Sequence, residues 1–350
     1  MYKNISKKFL LIMFISFAII TGCGKKDDPK DVNSKGDNKS GSPNADLVVK
    51  DDKGTKITLD LKPKKNDVFK YKMNALTTSK EISPMSGDKE LVSTQDINYY
   101  YSEEVNDVSS AGIITYKIKF DSINILSTVT SGDSSVKVYY NSNVKDSIYG
   151  KPDFIQYNSI MNEEFFARVT PKGEISEIYG LEKVYENMFK SLGDTLDAAQ
   201  KESLKSSFGK EAIQAVLQQQ FQIFPDNPVY KDSTWSRSYD TQIMIFPVRN
   251  ILSYKLNDIK EENNQYTIKI DADLAVDFMK KEIKDEKMTY KIEDAKTGGK
   301  GTVEFNLSKG CVTGKQTSTN IDIGMKLSAG GQSVKTSQNV TTALSIQLLK

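Results

Sequence analysis

Along most of the chain, apolar and polar residues take turns. Phe69, Tyr71, Met73 and Ala75 stand between Lys70, Lys72 and Asn74, and Ile114, Tyr116, Ile118 and Phe120 between Thr115, Lys117 and Lys119. The same beat returns in Tyr266/Ile268/Ile270, Val303/Phe305/Leu307, Ile321/Ile323/Met325/Leu327 and Val340/Thr342/Leu344/Ile346/Leu348. A period of two sends successive side chains to opposite faces, so each run predicts a strand with one dry and one wet side. Such strands build antiparallel sheets covered on one face, and the length of the runs predicts long, curved strands.

One region keeps a different beat. Leu181, Val184, Tyr185, Met188, Phe189 and Leu192 recur at three- and four-residue spacing, which predicts an amphipathic helix over Leu181–Leu192. A second helix is expected after Asp194 and to end around Gly209. A third carries Ile213, Val216, Leu217, Phe221 and Phe224 on one side and stops at Pro225. These stripes need an apolar partner, and the dry face of the sheet supplies one.

Short echoes flank the helical region. "KNDVF" (65–69) answers "KDSTW" (231–235), and "VNDV" (105–108) answers "LNDI" (256–259). "YKIKF" (116–120) answers "YTIKI" (266–270), and "KGEI" (172–175) answers "KGCV" (309–312), all in the same order. The expected fold is α+β, mainly β: large curved antiparallel sheet in two pseudo-repeated halves, with a central helical connector packed on it. The expected organisation is a leader over 1–22, a tether over 23–50 and one β-rich domain over 51–350. That domain divides into a first half (51–180), a connector (181–225) and a second half (226–350).

The N-terminus has its own pattern. Lys3, Lys7 and Lys8 precede an apolar stretch from Phe9 to Ile20 broken only by Ser16, the layout of a secretory signal. At about 1.5 Å per helical residue this stretch is too short for the roughly 20 residues that cross a bilayer. The junction Ile20-Thr21-Gly22-Cys23 resembles the lipobox of bacterial lipoproteins. That resemblance implies cleavage between Gly22 and Cys23 and acylation of Cys23. Two or three acyl chains hold a protein on a membrane where one binds only marginally. Residues 24–47 contain almost nothing apolar, so they cannot offset the entropy of ordering and read as a flexible tether. Gly24 stands where lipoproteins retained in the inner membrane carry aspartate. Lys26-Asp27-Asp28 resembles the surface-export signal of Bacteroidota-type lipoproteins. The implied address is the outer membrane, with exposure at the cell surface.

Composition sharpens the reading mainly by exclusion. Without residues 1–22 the chain has 45 basic and 46 acidic residues, interspersed, so no basic stripe speaks for nucleic acid. There are two cysteines; with Cys23 acylated, Cys311 has no intramolecular partner and is expected to be a small buried strand residue. There is no histidine. Ser-His-Asp triads, Cys-His pairs and HExxH metal sites are therefore excluded. Asp271, Asp273 and Asp277 alternate with apolar residues and read as the wet side of a strand, short of the oxygens calcium needs. Ser207-x-x-Lys210 has the spacing of a serine–lysine pair, but Gly209 interrupts its helix. "KTGGKGT" (296–302) lacks phosphate-loop spacing and reads as a hairpin turn.

The lipobox, the opening strand "NDVFKY" (66–71) and "FPDNPVYKDSTW" (224–235) together resemble an uncharacterised bacterial lipoprotein family, a domain of unknown function. The resemblance covers roughly residues 60–350 and departs at Asp232, where a glycine is usual. It implies location and architecture, with no catalytic residues. The expectation is a non-enzymatic carrier for an apolar ligand, with Tyr71, Tyr116, Met188, Phe221, Phe224 and Trp235 lining the space between sheet and helices. The alternative is an adapter that binds an envelope protein, and less favoured still is a histidine-free hydrolase. The expected partners are the bilayer, through acylated Cys23, and an apolar small molecule or envelope protein; no cofactor, metal or nucleic acid is expected.

Overall fold

The computed structural model describes residues 47–84, 89–193, 196–221, 223–263, 265–285 and 288–350. Two short strands come first, β1 (Val48–Asp51) and β2 (Gly54–Ile57). The first half follows with β3 (Val68–Ile82), β4 (Glu90–Val108), β5 (Ile114–Ser131), β6 (Ser134–Asn141), β7 (Glu164–Val169) and β8 (Ile175–Tyr179). A one-turn helix pair precedes β7, a 3-10 turn at Pro152–Phe154 running into α1 (Ile155–Ile160). The connector holds α2 (Glu182–Leu192), α3 (Ala198–Phe208) and α4 (Lys210–Gln218). The second half comprises β9 (Val229–Tyr230), β10 (Thr234–Ile243), β11 (Phe246–Glu262), β12 (Gln265–Phe278), β13 (Glu282–Lys284), β14 (Thr289–Asn306), β15 (Cys311–Ala329) and β16 (Gln332–Leu348).

Thirteen strands form one antiparallel sheet in the order β10-β11-β12-β14-β15-β16-β3-β4-β5-β7-β8, with β13 beside β14 and β6 beside β5. Each half is a meander, and the pairing of β16 with β3 fuses the two into one sheet. The expected mainly β fold, with its large antiparallel sheet and helical connector, is what the chain adopts. β1, β2 and β9 make a separate small sheet.

The duplication is written in the backbone. Asn66 and Asp232 both lie in the left-handed region, at φ 71° and 68°. Asn66 donates its N–H to Val105 and Val105 donates to Asp67; likewise Asp232 donates to Leu256 and Leu256 to Ser233. Each half then has a β-bulge at the same place, between Val105 and Asp107 and between Leu256 and Asp258. A second bulge also repeats, between Arg168 and Val169 and between Glu304 and Phe305. There the Ser176 hydroxyl donates to Arg168 and the Thr313 hydroxyl to Glu304, both at 3.2 Å. The left-handed turn also explains the departure at position 232: glycine takes that conformation freely, and aspartate or asparagine is the next cheapest choice.

Register corrects one echo. Val105 faces Tyr116 and Leu256 faces Ile270, so Tyr116 is the counterpart of Ile270, not of Tyr266. "YKIKF" and "YTIKI" look alike because both alternate, and alternation repeats every two residues along any strand. A second correction concerns residues 296–302, which lie inside β14 and not in a hairpin turn. Gly299 and Gly301 are there because the neighbouring strand leaves no room. A Cβ on them would come within 2.8 Å and 2.7 Å of the Thr319 and Thr317 methyl groups.

The connector differs in detail. Asp197 caps α3, exchanging hydrogen bonds with Gln200 in a capping box. Gly209 separates α3 from α4. The third helix stops at Gln218, earlier than Pro225 requires, and Gln219, Gln220, Phe221 and Phe224 beyond it are buried in the strap that leaves it. The reason is local: the Gln218 side chain donates to Gly173 and Phe221 carbonyls and accepts from the Ile175 N–H. Gln214 adds a bond to the Ile175 carbonyl at 3.2 Å. Glutamine side chains thus finish the hydrogen bonding of β8, an end strand that would otherwise bury or expose unpaired groups.

The sheet curls around the connector. Phe224 donates its N–H to Lys172, in the β7–β8 turn, at 2.9 Å, and accepts from the Arg237 guanidinium, on β10, at 3.1 Å. One residue therefore ties together the two ends of the strand path. The segment before β3 closes the same end. Leu47, Ile57, Leu59 and Leu61 are buried there, and Leu61 donates to Pro171 at 2.7 Å. Lys172 pairs with Asp60 at 2.7 Å.

Candidate functional site

The inner face of the sheet has three zones. The floor is the large apolar core, in which Tyr71 stacks on Tyr101 at 5.7 Å and Tyr116 meets Phe221 at 5.3 Å. Phe224 meets Phe305 edge-on at 4.7 Å. Higher up, a second cluster joins Ile243, Phe246 and Val248 of the β10–β11 hairpin to Ile321, Ile323, Met325 and Val340. Between them runs a hydroxyl belt. Ser127, Gln95, Thr77, Thr342, Thr319 and Gly299 are successive register partners across β5, β4, β3, β16, β15 and β14. Thr77, Thr319 and Ser127 are buried, and the Thr77 and Thr342 hydroxyls lie 3.2 Å apart.

Two ionisable groups are buried in this interior. Glu103, on β4, is 1% exposed and accepts a hydrogen bond from the Gln220 amide at 2.8 Å. The same amide's oxygen accepts a hydrogen bond from the Tyr101 hydroxyl. Loss of water pushes the Glu103 carboxyl up to about 8, against the opposing pull of the Gln220 bond. Lys315, on β15, is 8% exposed and donates to the Gln219 carbonyl at 2.6 Å. Desolvation brings its ammonium down to about 8.

Neither charge belongs to the shared scaffold. Register makes Glu103 the counterpart of Tyr254, since they face Phe69 and Trp235 at equal distance from the repeated turn. Lys315 is the counterpart of Ile178, two residues beyond the bulged Ser176 and Thr313. Each half carries a buried charge where the other buries an apolar or aromatic side chain. Several buried polar atoms also have no partner among the described residues: Glu103 Oε1, Gln219 Oε1, Thr317 Oγ1, Asn250 Oδ1 and Ser127 Oγ. Buried polar groups are nearly always bonded, so these atoms are the candidate contacts for a guest on the inner face.

The residues singled out from sequence distribute as follows. Tyr71, Tyr116, Phe221 and Phe224 come together in the floor core, and Trp235 packs against it, stacked on Tyr254 at 5.5 Å. These rings touch one another, and the Tyr71 hydroxyl is spent on the Val312 carbonyl at 3.0 Å. Met188 is buried on α2, the helix that packs on α1, outside that core. Cys311 is buried at the start of β15, its thiol pushed up to about 12 by burial. Asp271 accepts from Asn257 at 2.6 Å on the outer side of β12. Cys23 and the cleavage junction lie outside the described residues. Sequence reasoning missed Glu103, Lys315 and the Gln218–Gln220 run. The usable signal was phase: Glu103 shares the dry beat of Ile97, Tyr99, Tyr101 and Val105, and Lys315 that of Ile321, Ile323 and Met325.

The chain belongs to a family described as "Family of unknown function (DUF6263)", which matches residues 111–312. No curated protein matches it. Among solved structures it is similar to lipovitellin, in a structure titled for its lipid–protein interactions. The identity is 9% and the TM-score 0.40, over 83% of this chain and 26% of that one. It is also similar to the COG4313 outer membrane channel from Pseudomonas putida F1, with 10% identity and a TM-score of 0.21 over 83% and 98% of the two chains. For Pseudomonas aeruginosa OpdQ the identity is 5% and the TM-score 0.20, over 81% and 100%. Likenesses at these scores carry no argument about what this protein does.

Proposed function

We propose that this member of the family is a non-catalytic binding protein of the bacterial envelope, held by acyl chains on Cys23, that seats an apolar or amphipathic small molecule against the inner face of its sheet. The observation that carries the reading is the set of buried polar atoms without partners among the described residues, in the interior of one curved sheet that also buries two apolar clusters. Leaving such an atom unpaired costs about 1–3 kcal/mol, a cost that a bound guest with a polar part offsets. The lipobox-like junction and the polar stretch after it support the address: exported, lipid-anchored at the outer membrane and exposed at the surface. Native mass spectrometry of the chain after mild extraction tests the reading. A co-extracted small molecule of constant mass is expected, and a protein that is ligand-free in every preparation overturns it. Radiolabelled palmitate should enter the wild-type chain and not the Cys23→Ser form.

An adapter role has one observation in its favour. β10 closes one end of the strand path, and the turn after it exposes Met244 and Ile245. An unpaired strand end with an apolar tip suits addition of a partner's strand. Affinity capture with the tether intact should then recover one envelope protein in constant ratio; recovery of the lone monomer removes this reading.

A further inference from the structure

We infer that Lys315 is the head-group contact of the site, selecting a single-chain amphiphile with an anionic head, a carboxylate or a phosphate monoester. The inference rests on the binding role proposed above and adds the chemical class of the ligand. Lys315 has three N–H donors, and among the described residues its one hydrogen bond goes to the Gln219 carbonyl. A buried ammonium satisfied by a single neutral acceptor is far from compensated. One further donor is available: Thr317, next along the inner face of β15, leaves its buried hydroxyl without a partner among the described residues, and it can donate to the same head.

The surroundings match an anionic head on an apolar chain. Val303 and Ile346 flank Lys315 on the adjacent strands, both buried. Beyond it the inner face of β15 runs through Thr317 and Thr319 to Ile321, Ile323 and Met325. The sheet itself does not require a charge there, because the other half places Ile178 at that position and buries it to 4% exposure.

The test is titration of the full chain with cis-parinaric acid and with its methyl ester, read by probe fluorescence, for wild type and Lys315→Met. Wild type is expected to prefer the acid by roughly tenfold to a hundredfold, the value of a charge-assisted hydrogen bond, and Lys315→Met to bind acid and ester alike. Displacement by palmitate or by lysophosphatidic acid then tells carboxylate from phosphate. Equal binding of acid and ester by wild type overturns the inference while leaving the binding role intact. So does an acid preference that survives in Lys315→Met. Failure of wild type to bind either probe overturns the binding role and the inference with it. The wild-type ratio stands even if the variant does not fold.

Discussion

Glu103 and Lys315 grip two consecutive residues of the connector, Gln220 and Gln219, from opposite halves of the sheet. The connector's exit strap is therefore held by one buried acid and one buried base, with desolvation the first cause of both shifts.

The first prediction concerns pH. Glu103 titrates near 8 when folded and near 4.5 when unfolded. Across that window the folded state keeps a proton that the unfolded chain has lost, so stability falls as pH rises. Lys315 titrates near 8 when folded and near 10.5 when unfolded. There the unfolded chain binds the extra proton, so stability rises from pH 8 upward. The two contributions meet in a minimum near pH 8, each limb worth roughly 3–5 kcal/mol. Urea unfolding at pH 5, 8 and 10 should show it, with Glu103→Gln flattening the acid limb and Lys315→Met the alkaline one. An unchanged fall between pH 5 and 8 in Glu103→Gln would show that another group is responsible.

Phe224 offers a second test, because it is fully buried and its backbone joins both ends of the strand path. Phe224→Ala should cost about 3–5 kcal/mol by removing a core ring. Arg237→Met removes the tie to β10 while leaving the ring in place. Hydrogen exchange should then quicken in β10 with β14 and β15 unaffected. Equal protection in β10 would mean that the guanidinium contact does not hold that end.

The glycines of β14 make a third prediction. Gly301→Val drives a side chain into Thr317 and the Gln316 carbonyl, and Gly299→Val into Thr319 and the Ser318 carbonyl. Either should lower stability by at least about 1–3 kcal/mol, through overpacking that the neighbouring backbone cannot relieve. Gly150→Ala, where no atom lies within 4 Å, serves as the control and should change the melting temperature little.

A fourth prediction follows from the covered end strand. Gln218→Leu strands the Ile175 N–H and the Gly173 carbonyl. About 1–3 kcal/mol should be lost for each group left unpaired, with faster concentration-dependent aggregation through β8. Light scattering during mild heating separates this from simple destabilisation. A variant that loses stability without aggregating sooner would show that the end strand is protected by something else.

Much of the architecture could be read from local pattern. Strands at Phe69, Ile114, Val303, Ile321 and Val340 follow from the period of two, because pleated backbone sorts side chains strictly by parity. The helix over 182–192 follows from Leu181, Val184 and Met188, whose three- and four-residue spacing is that of buried positions on one helix face. The paired turns at Asn66 and Asp232 also left a trace, since only a few residue types tolerate a left-handed backbone.

What the residues alone could not settle was contact between distant strands. Parity says which face a side chain takes, and nothing about what lies opposite. So Tyr71, Tyr116, Phe221 and Phe224 were visible as dry-face residues, but that they press on one another depends on how the sheet curls. The glycines at 298–301 looked like a turn because their function is to admit Thr317 and Thr319 from a neighbouring strand. The union of β16 with β3, the stitch at Phe224 and the convergence of Glu103 and Lys315 on the glutamine run were decided by tertiary structure. Each joins residues from separate elements of the chain, and only the packing of the whole curved sheet on its connector fixes that distance.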